Sequence, residues 1–170
     1  MRFAIAALTV LTLAGPAVAQ HQHSQTPYAG LQQRAVKALS DQQVADLQAG
    51  RGMGLALAGE LNGYPGPSHV LELADQLQLN SEQRERIRQL FDSMKAEAIP
   101  VGEKLIADEA ALDRAFAEQQ IEPATLASLT AQIGATQGSL REVHLKYHLT
   151  TAALLTPHQR YRYVELRGYR

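Results

Sequence analysis

The sequence has no cysteine and no tryptophan, and aromatic residues make up 5% of its 170 positions. Without cysteine there is no disulfide framework, no thiolate nucleophile and no lipid attachment at an N-terminal cysteine, so stability has to come from packing alone. Scarce aromatics beside plentiful Ala, Leu, Gln and Glu disfavour strands and favour helices. Charge of neither sign dominates, with 16 Lys and Arg against 17 Asp and Glu and a formal net charge of −1. Capture of nucleic acid by bulk electrostatics needs a cationic excess, so no nucleic-acid partner is expected. Gly-x-Ser-x-Gly, His-Glu-x-x-His and paired Glu-x-x-His motifs are all missing, and no enzyme is expected.

Hydrophobic runs are short. The longest, in MRFAIAALTVLTLAGPAVAQ, extends from Phe3 to Ala14 behind a single Arg and ends in Gly-Pro and Ala-Val-Ala. That is the layout of a cleaved secretory signal over residues 1–19, too short to span a bilayer of about 30 Å, and it predicts a periplasmic protein that does not span the membrane once processed. Residues 20–38 open on QHQHSQTPYAG, which has no apolar period and reads as a flexible tail in which His21 and His23 are either solvated or accessory ligands. Residues 39–170 form a single domain.

What that domain does contain is helical periodicity. Ser40 can cap a short helix ended by Gly50, and the glycines 50, 52 and 54 form a hinge. Leu55–Leu61 reads as a short apolar helix, followed by a turn cluster, Asn62 to Pro67, and a helix capped by Ser68. From Ile87 the apolar residues recur as Leu90, Met94, Val101, Leu105, Leu112 and Phe116, a seam that predicts a helix from about Ser81 to Glu118, about 57 Å long at 1.5 Å per residue, kinked at Pro100. Pro123 starts another helix, with a seam through Leu126, Leu129, Ile133, Leu140, Val143, Tyr147 and Leu154. The fold class expected is all-α: a long antiparallel hairpin, short N-terminal helices and a short C-terminal helix.

Three helix starts share one device. In Leu155-Thr156-Pro157-His158-Gln159 the threonine is N-cap and Gln159, at N3, reaches back to the cap; Leu79, Asn80 and Gln83 repeat it, as do Leu39 to Gln43. Each cap is worth about 1 kcal/mol. Two L-T/N-x-x-Q boxes bracketing a long hairpin in an exported cysteine-free chain resemble the Spy/CpxP family of periplasmic LTxxQ proteins, including its heavy-metal-resistance branch, with Asn80 standing where that motif has Thr. The resemblance covers about residues 70 to 168. It implies a cradle-shaped homodimer acting as an ATP-independent chaperone for unfolded clients, or as a protein that senses or sequesters metal; a structural partner of a membrane sensor protein is a third possibility.

His144 and His148 stand four apart on the second long helix, which brings their Cβ atoms within about 6 Å, close enough to share one ion. By helical angle they lie on the flank of the seam, where exposure is expected, and the alternative is two solvated histidines near a helix C-terminus. The resemblance implies ligands at this i,i+4 spacing together with donors from the first helix, where only Glu60 is present; His69 and His158 are further possible ligands. No motif requires a cofactor, and the ion implied is divalent: zinc, copper or nickel. For client binding the expected residues are Arg84, Arg86, Arg88, Arg160 and Arg162, gathered with Arg141, Lys146, Arg167 and Arg170 at one end of the hairpin, while Glu97 to Glu122 make the other end acidic.

Overall fold

The computed structural model describes residues 27–119 and 121–169. The signal segment, His21, His23 and Arg170 lie outside the described residues. Among those residues there are six α-helices and no strand: α1 (Asp41–Gln48), α2 (Leu57–Glu60), α3 (Pro67–Glu72), α4 (Ser81–Ala117), α5 (Pro123–Leu154) and α6 (Pro157–Leu166). None is long and apolar enough to cross a membrane.

Helix starts follow the caps. Ser40, Asn80 and Thr156 each accept from the N–H three residues on, and Gln43, Gln83 and Gln159 return a bond to the cap's own N–H, which closes three capping boxes. The α3 start differs from expectation. Its N-cap is Gly66, with Pro67 in the first turn and no side-chain cap, because a proline needs no partner for an N–H it lacks.

The hairpin is formed by α4 and α5, which share the most extensive contact in the molecule. Its antiparallel sense shows in the pairs Glu97 with Lys146 and Asp108 with Thr136. The α4 helix runs through Pro100, which is exposed, so the carbonyl it leaves without a partner can meet water.

The two apolar ribbons do not zip along their whole length. One cluster joins Leu105 and Ala98 of α4 to Ile133 and Leu140 of α5, with Leu47 of α1 inserted. Ile87 belongs to another, with Val70, Leu77, Leu155 and Tyr163. The beginning of α4 is thus covered by α3 and α6, and at the far end Leu126 and Phe116 are exposed.

Beside the cluster of Leu105 and Ile133 lies a polar pin. Asp108, 6% exposed, accepts from Lys104 at 2.7 Å, Thr136 Oγ1 at 2.7 Å and Gln132 Nε2 at 2.5 Å. Burial acts to raise its pKa, and these bonds outweigh it and hold the carboxyl below its usual range.

Two segments differ from expectation. Within the residues read as a tail, Leu31–Gln33 form a 3₁₀ turn, Val36 is buried and Lys37 pairs with Asp113 at 2.9 Å. The charged ends are also less separate than the pattern implies. Lys146 bonds to Glu97, and Tyr147 donates to the same carboxylate at 2.6 Å, because the antiparallel register sets these residues side by side.

Candidate metal centre

The chain from Arg51 to Leu79 folds back over the end of the hairpin and covers the flank of α5 that bears His144 and His148. Both are buried, 2% and 8% exposed, which corrects the expectation of an open flank. The helical angle is as expected, but a third layer, α2 and the turn before α3, occupies the space beside it. A cavity of about 230 Å³ remains there, lined by His69, His144, His148, Met53, Met94 and Glu60 among others.

The imidazoles are held differently. His148 Nδ1 lies 2.7 Å from the Tyr64 carbonyl. A carbonyl only accepts, so Nδ1 carries the proton and Nε2 is the nitrogen whose lone pair a metal could take, an arrangement common in metal-ligating histidines. That Nε2 faces Gly66, where an added Cβ would stand 2.7 Å away. His144 Nε2 is buried with no hydrogen-bond partner. Burial, and then the nearby His148, lower the His144 pKa and keep the ring neutral.

Glu60 is the hub of the same region. One oxygen accepts from Gly66 N–H at 3.0 Å; the other accepts from the Tyr163 hydroxyl, from Tyr169 at 3.0 Å and from His69 Nδ1 at 3.2 Å. Burial alone would raise its pKa, but the donors from His69, Tyr163 and Gly66 outweigh it and bring it down to about 2. The same contact pushes the Tyr163 hydroxyl far up, with burial the largest cause and Glu60 the next. Glu60 therefore ties α2, α3 and α6 together as a full-time anion.

Of the residues the sequence singles out, the fold brings His144, His148, His69 and Glu60 to one cavity, whereas His158 is exposed on α6 and does not line it. Among the described residues, no three His, Asp or Glu side chains converge as a ready-made ion cage. The donor chemistry nevertheless fits a metal: two imidazoles, one with an unpartnered nitrogen, line one cavity.

A family model described as heavy-metal resistance matches residues 53–162, more than half of the chain. The chain belongs to that family. Its matched span covers α2 through most of α6 and takes in the residues lining the cavity apart from Gly52. The family is part of the Spy/CpxP-like LTxxQ group, and its all-helical hairpin is the architecture found here. Curated proteins and solved structures give no match to this chain.

The arginines singled out for client binding sit on α4 and α6 near the same end of the hairpin. Arg84 binds Asp75 at 2.7 Å, Arg86 lies 3.6 Å from Glu82, Arg162 lies 3.4 Å from Glu165 and Arg160 donates to the Ala152 carbonyl at 3.1 Å, while Arg88 is exposed.

Two features of the site lie outside the sequence reading. Gly66 abuts His148, and Tyr163 and Tyr169 converge on Glu60. Neither has a local signal, since the tyrosines reach Glu60 across more than a hundred residues.

Proposed function

We propose that this heavy-metal resistance protein is a periplasmic metal-binding protein that captures an ion between the two long helices and the α2–α3 layer. His144 and His148 would hold the ion, with His69 next in reach and Glu60 as the fixed anionic neighbour. The bound metal would supply a cross-link between α5 and the covering layer, and the protein's own work is capture rather than bond-making. The observation that supports this most is the buried imidazole pair facing one cavity with His144 Nε2 unpartnered, since burying such a nitrogen without a ligand or hydrogen bond costs roughly 1–3 kcal/mol. The leader-like first 19 residues support export. A second copy of the chain and an extracytoplasmic sensor domain are the partners this reading accommodates.

Equilibrium dialysis of the mature protein with zinc, copper and nickel tests it, beside a His144→Ala/His148→Ala variant of verified helicity. The expected result is about one ion per chain for the parent and loss of uptake in the variant. Identical uptake by both proteins would end the reading.

A chaperone-like role is the second reading. It is favoured by a groove of about 790 Å³ lined by Leu39, Leu47, Leu55, Leu105 and Leu140, an apolar surface of the kind that client segments can occupy. Suppression of light scattering from a heat-aggregating client is expected on this reading, and no suppression at several-fold excess would remove it.

A further inference from the structure

The sequence has three methionines, and apart from Met1 both of them, Met53 and Met94, line the one cavity that also receives His69, His144 and His148. Met94 is 7% exposed on α4. Met53 lies between Gly52 and Gly54 with φ of 44°, a left-handed conformation that a glycine would adopt without strain. Strained residues of this kind recur at ligand clamps.

We infer that the cavity takes a soft monovalent cation of the copper(I) type, with the thioethers of Met94 and Met53 joining the imidazoles of His144 and His148. This rests on reading the cavity as a metal site. Glu60, the one carboxylate lining the cavity, already has both oxygens engaged by Gly66, His69, Tyr163 and Tyr169. The donors left over are uncharged nitrogen and sulfur. Thioether and imidazole ligands suit a soft ion, whereas hard divalent ions favour oxygen. Charge points the same way, since Glu60 is the one carboxylate lining the cavity: beside it a monovalent ion is balanced, whereas a divalent ion would keep one charge uncompensated. Two imidazoles alone make an incomplete shell, and the sulfurs are the groups the fold adds to it.

The experiment uses the mature chain, reduced and anaerobic, titrated with copper(I) against a chromogenic copper(I) chelator and separately with zinc and nickel. Three proteins are compared: the parent, Met53→Leu/Met94→Leu and His144→Ala/His148→Ala. Leucine nearly matches methionine in volume, so the thioether is removed with little change in packing. Copper(I) affinity is expected to fall by about tenfold or more in the leucine variant, with zinc and nickel uptake changed by less than about twofold. X-ray absorption of the copper(I)-loaded parent is expected to show sulfur in the first shell, a result that needs no variant to fold. Copper(I) affinity indifferent to both methionines, with no sulfur shell, would overturn the inference. If the histidine variant still loses its metal in that case, the capture reading stands without the thioethers. If it binds every ion as the parent does, both fall together.

Discussion

Gln83 and Gln159 exchange hydrogen bonds, Gln83 Nε2 to Gln159 Oε1 at 2.9 Å and Gln159 Nε2 to Gln83 Oε1 at 3.1 Å, while each also closes the capping box of its own helix. Their amide groups reach the carbonyls of Leu154 and Leu77 as well. The two boxes are thus one clasp, binding the start of α4 to the start of α6 beside the cluster of Ile87, Leu155 and Tyr163.

A carboxylate at position 159 keeps the acceptor and loses both donations. Gln159→Glu is therefore expected to lower unfolding free energy by about 1–3 kcal/mol, since Gln83 Oε1 and the Leu77 carbonyl lose a donor in a buried spot. Urea denaturation measures it, and a loss below about 0.5 kcal/mol would show that the clasp is not a stabilising unit.

Helical glycines of α4 and α5 should respond with opposite signs. At Gly102 an added Cβ would lie 2.6 Å from the Leu47 carbonyl oxygen, the point where α1 crosses α4, and backbone cannot easily give way. Gly102→Ala is expected to lower the thermal midpoint despite alanine's helix preference. Gly138, with nothing within 4 Å, is expected to gain about 0.5–1 kcal/mol on the same change. Calorimetry of the two variants checks the contrast.

Because the Glu60 pKa is depressed from 4.5 to about 2, the folded state holds its carboxylate more strongly than the unfolded chain does. Its stabilising share is complete above pH 4.5 and is lost as pH falls toward 2, with an upper bound of roughly 3 kcal/mol. Glu60→Gln is expected to be less stable at pH 7 and to have a shallower acid limb. Midpoints between pH 2 and 7 for both proteins decide it, and parallel curves would mean the hub does not govern acid stability.

Gly66→Ala would drive a methyl group toward His148 Nε2, 2.7 Å away. The ring must then turn, breaking its 2.7 Å bond to the Tyr64 carbonyl. We expect metal uptake to fall by about tenfold or more, as for lost orienting partners of ligating histidines, with the His148 ring resonances shifted in NMR spectra.

Much of this fold was legible because its determinants are local. Capping boxes at Ser40, Asn80 and Thr156 and the proline at 123 place helix starts within a residue or two, and the seams of α4 and α5 predict a hairpin from spacing alone. What spacing cannot convey is which neighbours cover a flank. The angle of His144 and His148 is correct from 100° per residue, but their burial depends on a layer contributed by residues about eighty positions earlier, as the bond of His148 to Tyr64 shows. The Glu60 hub is hidden for the same reason, since a glutamate in LALAGEL looks like surface until Tyr163 and Tyr169 arrive from the end of the chain. The resemblance supplied the metal-resistance expectation, and the cavity is where the proposed site would lie.

The pin around Asp108 bears on how the hairpin can move. Sliding α5 along α4 by one helical turn, about 5.4 Å, would part the carboxylate from Thr136 and Gln132 and strand a buried charge. Translation between the rods is blocked, whereas bending near Pro100, between pin and cavity, breaks none of these bonds. Any event at the histidines would travel down the molecule as a tilt, and the hairpin would then act as a lever and not as a piston.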